Sequence, residues 1–132
     1  MGLDMYLTAT RFSGGFGAEW PEVNTQEVSR VGYWRKANQI HEWFVENVQD
    51  GVDECRECWV DREKLEELKE LCESVLLAPA NAEKELPRKS GFFFGSTEYS
   101  DGYYADLKDT IEIVDRCLSI PEEWEFSYQS SW

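Results

Sequence analysis

The sequence predicts one α+β domain spanning residues 1 to 132, with about three amphipathic helices on a small sheet formed largely by the N- and C-terminal strands. Three observations carry this. Both ends alternate apolar and polar residues with a period of two, three apolar stripes at helical spacing lie between them, and a 42% hydrophobic content with 14% aromatics is enough for one core.

Element by element, Leu3, Met5, Leu7 and Ala9 alternate with Asp4, Tyr6, Thr8 and Thr10, so Leu3 to Phe12 reads as a half-buried strand. Ser13-Gly14-Gly15-Phe16-Gly17 holds three glycines in five residues, which raises the entropy cost of regular structure and predicts a loop or wide turn. Val31, Trp34, Ala37, His41, Phe44, Val45 and Val48 recur at spacings of three and four, predicting a first helix over 31–48 that Gln49-Asp50-Gly51 ends. Cys55 to Val60 reads as a short strand. Asp61 offers a capping oxygen to a second helix, whose stripe is Leu65, Leu68, Leu71, Cys72, Val75 and Leu76 and which Pro79 stops. A polar segment, Ala80 to Lys89, leads into Ser90 to Thr97, where two glycines bracket three phenylalanines; a short strand or tight buried loop is expected. The third helix starts at Ser100 or Asp101, turns Tyr103, Tyr104, Leu107, Ile111, Val114 and Leu118 inward, and ends before Pro121. Trp124, Phe126 and Tyr128 then alternate with Glu123, Glu125 and Ser127 in a final strand.

Charge narrows the partners. With 27 acidic and 13 basic residues the net charge is −14, which repels nucleic-acid backbones and anionic membranes, so neither is expected to bind directly. The chain has no long apolar run and its start lacks the layout of a signal peptide, which predicts a cytoplasmic protein with Cys55, Cys58, Cys72 and Cys117 reduced. Cys55-Arg-Glu-Cys58 has the spacing of half a zinc site, but no second pair completes it, so neither a metal nor another cofactor is expected.

Scarce cations stand in two places. Arg30, Arg35 and Lys36 surround Trp34, while Arg88 and Lys89 precede the phenylalanine run, with no acid between 88 and 97. If the segments meet, Trp34, Arg35, Lys36, Asn38 and His41 from one, with Ser90, Phe93, Ser96, Thr97 and Tyr99 from the other, form an aromatic-lined cationic pocket. Guanidinium and ammonium groups ligate phosphate or carboxylate, aromatic faces stack on bases, and hydroxyls add neutral donors. The competing reading has the cations solvated or paired with Glu42 or Glu46, and the phenylalanines in the core. His41, the only histidine, is either a hydrogen-bonded core residue or a general base. No nucleophile, phosphate-loop or dinucleotide motif accompanies it, so no catalytic residue is assigned. A small hydrolase using His41 remains the weaker alternative. The outward carboxylates Glu63, Glu66, Glu67, Glu70 and Glu73, and Asp106, Asp109, Glu112 and Asp115, either solvate helix faces or imitate phosphate spacing.

Three segments carry a resemblance: Met1-Gly2-Leu3-Asp4-Met5-Tyr6-Leu7, Val31 to His41 (VGYWRKANQIH), and Ser90 to Tyr99 (SGFFFGSTEY). Together with Tyr103 to Thr110 they resemble a family of small uncharacterised bacteriophage and prophage proteins, from which Cys55, Cys58, Arg88 and Lys89 depart. The resemblance implies a non-enzymatic phage accessory protein, acting in the cytoplasm of an infected bacterial host as an antagonist of host defence. Two modes are open: sequestration of a small anionic, nucleotide-like ligand in the pocket, or stoichiometric occlusion of a basic surface on a host protein by the carboxylates. Self-association is a further option.

Overall fold

The computed structural model describes residues 2–15, 24–91 and 97–132. The order is β1 (Asp4–Gly15), β2 (Asn24–Arg35), α1 (Asn38–Asn47), β3 (Cys58–Val60), α2 (Arg62–Leu77), a 3-10 turn (Pro79–Asn81), α3 (Ala82–Glu85), α4 (Asp101–Ser119) and β4 (Glu125–Ser131). The antiparallel sheet runs β2-β1-β4-β3, so the first and last strands are central neighbours, with Leu7 opposite Tyr128. This is the α+β architecture expected of the alternating ends. Leu3, Met5, Leu7, Ala9, Phe126 and Tyr128 bury their side chains under the helices, and Tyr6, Tyr33, Trp59 and Gln129 lie on the open face.

One aromatic stack organises the core. Phe44 of α1 lies parallel to Tyr128 of β4, with centroids 3.9 Å apart and planes at 5°, and meets Trp34 edge-on at 5.9 Å. Leu65, Leu68, Cys72 and Val75 of α2 and Tyr103, Leu107, Val114 and Cys117 of α4 complete it, as their helical stripes require. Lys69 of α2 ties the two helices at the surface by a 2.6 Å ion pair to Asp115.

The expected helix over 31–48 is a correction. Residues 31–35 are the end of β2, and α1 begins only at Asn38. The cause is a bulge: Leu7 pairs with Gly32 but Thr8 with Arg30, leaving Val31 as an extra residue. That insertion changes the spacing from Val31 to Trp34 to three, which imitates a helical period. Gly32 also points to a strand, since a Cβ there would stand 2.6 Å from Ile113 Cγ2 of α4. Close approach of the helix layer, not helix formation, requires that glycine.

Three smaller differences follow. β1 runs through Ser13, Gly14 and Gly15, expected as a loop, because Gly15 pairs with Asn24 across a register shift after Phe12; Phe16 and Gly17 lie outside the described residues. Asp61 occupies the N-cap of α2 without a capping side-chain hydrogen bond. Part of the polar segment folds as the 3-10 turn and α3, anchored by buried Ala82 and Leu86, whose carbonyls accept from the Tyr103 hydroxyl at 3.5 and 2.7 Å.

Candidate functional site

The junction of β2 and α1 is built by one backbone reversal. Lys36 adopts φ 55°, a left-handed conformation that costs a non-glycine residue energy, and its N–H donates to Leu3 O at 2.7 Å. This places Arg35 and Lys36 side by side at the surface. A methyl group at Gly2 would lie 3.0 Å from Lys36 Cε and 3.4 Å from Arg35 Nη2, so both side chains converge on the start of the chain. Arg35 Nη1 pairs with Asp4 Oδ1 at 3.1 Å, and the Tyr33 hydroxyl donates to the same oxygen at 2.5 Å. Lys36 forms no ion pair among the described residues. Because the Tyr33 hydroxyl donates to a carboxylate, its own ionisation is pushed above the ordinary tyrosine value.

α1 therefore starts beside two cations. Its N-cap, Ala37, supplies no side-chain hydrogen bond, and no acid occupies the first turn. The positive end of a helix dipole beside Lys36 is electrostatically unfavourable, and the Asp4 carboxylate nearby is held by Arg35 and Tyr33.

The two segments singled out in the sequence do meet, through side chains that face inward. Buried Asn38 accepts from the Lys89 N–H through Oδ1 at 2.9 Å, and buried Gln39 accepts from Arg88 Nη1 through Oε1 at 2.7 Å. The Gln39 amide in turn donates to Asp106 Oδ2 at 3.3 Å. Burial raises the Asp106 carboxyl, while the Gln39 bond and Arg88 act in the opposite direction. Arg88 also donates through Nε to Glu98 O at 3.0 Å and lies 5.2 Å from the Tyr103 ring, with its side chain only 6% exposed. It is a clamp between segments. Lys89 remains at the surface, paired with Glu42 at 3.3 Å.

Several candidate residues fall elsewhere. Trp34 was placed on a helix as a stacking platform; it is a β2 core residue, 4% exposed, donating through Nε1 to Thr110 Oγ1 at 2.9 Å. Ser90 and Thr97 are exposed, and Tyr99 packs on Tyr103 at 5.1 Å while its hydroxyl accepts from the Arg88 N–H at 3.1 Å. Phe93 and Ser96, with the predicted strand or buried loop around them, lie outside the described residues. Arg30 is not beside Trp34 but on the open sheet face, 4.4 Å from the Tyr6 ring centroid.

His41 is fully buried and both ring nitrogens are engaged, with Asp53 Oδ1 2.9 Å from Nε2 and the Tyr128 hydroxyl 2.6 Å from Nδ1. A carboxylate only accepts, so Nε2 carries the proton and Tyr128 donates to Nδ1. Burial lowers the His41 pKa against the opposing pull of Asp53, and pushes the Tyr128 hydroxyl well above its usual value. The indole N–H of Trp132 donates to the same Asp53 oxygen at 3.1 Å. The arrangement locks α1, the 53 loop and β4 together, with the His41 ring itself buried.

Gln39, Asp53 and Tyr128 were missed in the sequence. Gln39 carried a signal, as an amide beside the apolar stripe at a helix start; Asp53 carried none. Among the described residues no group of three or more His, Cys, Asp or Glu side chains could hold a metal ion, and no helix is long and apolar enough to cross a membrane. Compared with protein families, curated proteins and solved structures, the chain matches none.

Proposed function

We propose that the protein binds a small anionic, nucleotide-like ligand at the β2–α1 junction without converting it. The observation that carries the reading is the start of α1, which has no side-chain cap and no acid in its first turn, beside Lys36, which forms no ion pair among the described residues, and next to the Arg35–Asp4 pair. Lys36 and Arg35 ligate the charged group and the first amides of α1 add donors, next to Asn38, which the Lys89 N–H holds. In the phage setting that the sequence resemblance implies, holding such a ligand removes a host signal stoichiometrically.

Calorimetry against mono-, di- and cyclic nucleotides tests this. Binding without turnover is expected, and Lys36→Gln or Arg35→Gln weakens it by about one to two decades, each charge-assisted contact being worth about 1.5–3 kcal/mol. No binding by any nucleotide overturns the reading.

The acidic-occlusion reading also has a specific observation behind it: Glu63, Glu66, Glu67, Glu70 and Glu73 of α2 and Asp109, Glu112 and Asp115 of α4 are all exposed on two helices that pack together. Under that reading, reversing the α2 glutamates removes a host partner and Arg35→Gln does not.

A further inference from the structure

Where β3 and β4 meet, away from the β2–α1 junction, the structure has a cavity of about 340 Å³. Its lining includes Trp59, Trp124 and the largely buried Phe126, with Asp61, Arg62, Glu122 and Glu125. Two of the three rings already hold guanidinium groups from within the chain. Arg62 lies 4.9 Å from the Phe126 centroid, and Arg11 lies 5.4 Å from that of Trp124. The third ring, Trp59, is 55% exposed, has Phe12 beside it at 6.4 Å, and has no cation over it among the described residues.

The carboxylates are equally unanswered. Arg62 directs its N–H groups to the carbonyls of Cys117, Pro121 and Trp124 at 3.2, 2.7 and 3.3 Å rather than to an acid. Among the described residues Asp61, Glu122 and Glu125 form no ion pair. An aromatic face attracts a cation through its quadrupole, and a planar guanidinium can stack on the indole while its edge donates to carboxylates. A net charge of −14 steers a basic partner toward the surface and repels a second copy of the chain.

We infer that this cavity docks an arginine side chain of a basic partner protein, the guanidinium lying on Trp59 with its N–H groups toward Asp61, Glu122 and Glu125. The inference uses no residue of the β2–α1 junction and is independent of the ligand reading there.

The test titrates the full-length, nitrogen-15-labelled protein with a nona-arginine peptide and with nona-citrulline, its neutral isostere. The Trp59 indole N–H resonance should shift saturably with the first and stay in place with the second. Trp59→Leu should weaken nona-arginine binding about five- to tenfold, the scale of one cation–aromatic contact. Trp59 is half exposed, so this variant keeps the fold. Glu122→Gln with Glu125→Gln should weaken binding more than Glu66→Gln with Glu70→Gln, which removes the same charge from the exposed side of α2. Equal losses in the two double variants, an unmoved Trp59 resonance at saturation, or no binding at all would each overturn the inference.

Discussion

At the β2–α1 junction, Arg35 and Lys36 stand at the start of a helix that carries no acid in its first turn, whereas around the Trp59 cavity Asp61, Glu122 and Glu125 share the lining with aromatic residues and Arg62 is turned to backbone carbonyls. Both regions belong to a chain of net charge −14. Net charge sets how ligands approach from a distance; the local imbalance between charged groups and their partners sets what each place can hold. Among the described residues the junction leaves Lys36 without an ion pair, and the cavity leaves Asp61, Glu122 and Glu125 without one. Arg88 shows the contrast from inside the fold, since its bonds to Gln39 and Glu98 leave it a structural strut despite its position beside the candidate site.

The largest effect should separate the tryptophans of the two regions. Trp34→Ala removes a buried indole packed on Phe44 and should cost about 3–5 kcal/mol of unfolding free energy in urea titrations, whereas Trp59→Leu should cost under about 1 kcal/mol. Equal costs would break the division into a core residue and a docking residue.

Below this comes the pH dependence of the core beneath the junction. His41 is held neutral by burial, with its pKa below the unfolded value of 6.5. The unfolded chain therefore binds a proton that the folded chain does not, and stability must fall as pH drops through 6.5, levelling off only below the folded pKa. The slope should approach about 1.4 kcal/mol per pH unit at most, read as the difference in pH profile between the parent and His41→Gln. A parent profile that rises as pH falls through that window would contradict the neutral assignment.

Lys36 sharpens the comparison further by separating ligand from fold. Lys36→Gly relieves the left-handed backbone at φ 55° and should raise unfolding free energy by up to about 1 kcal/mol while ligand affinity drops. Lys36→Gln should lose the affinity with little change in stability.

Thiol reactivity should report the least perturbing difference. Burial pushes the Cys72 thiol up to about 12 and the Cys117 thiol up to about 11, so both should alkylate slowly, while half-buried Cys55 and Cys58 near the cavity strand react first. Mass spectrometry of a timed iodoacetamide reaction reads the order.

The sequence made the sheet ends and the helices α2 and α4 legible because their apolar residues keep a single period throughout. It hid β2 because one bulged residue, Val31, shifts the alternation and turns a strand into an apparent helix start. Charge and residue type raised the meeting of the Trp34 and Arg88 segments as a condition, and the structure joins them through Asn38 and Gln39 rather than through Arg35 and Lys36. The orientation of Trp34 was not legible, since the difference between a platform and a core residue depends on strand parity. The Trp59 cavity was hidden for another reason: its walls come from residues 59–62 and 122–126, which only the pairing of β3 with β4 brings together.

The claim that the β2–α1 junction is an anion site is tested most directly by amide chemical shifts during titration with a nucleotide. The backbone N–H signals of Lys36, Asn38 and Gln39 should move together and saturably, Lys36→Gln should raise the half-saturating concentration by about one to two decades, and signals around Trp59 should stay in place. Shifts confined to other surfaces, or none at millimolar nucleotide, would contradict it.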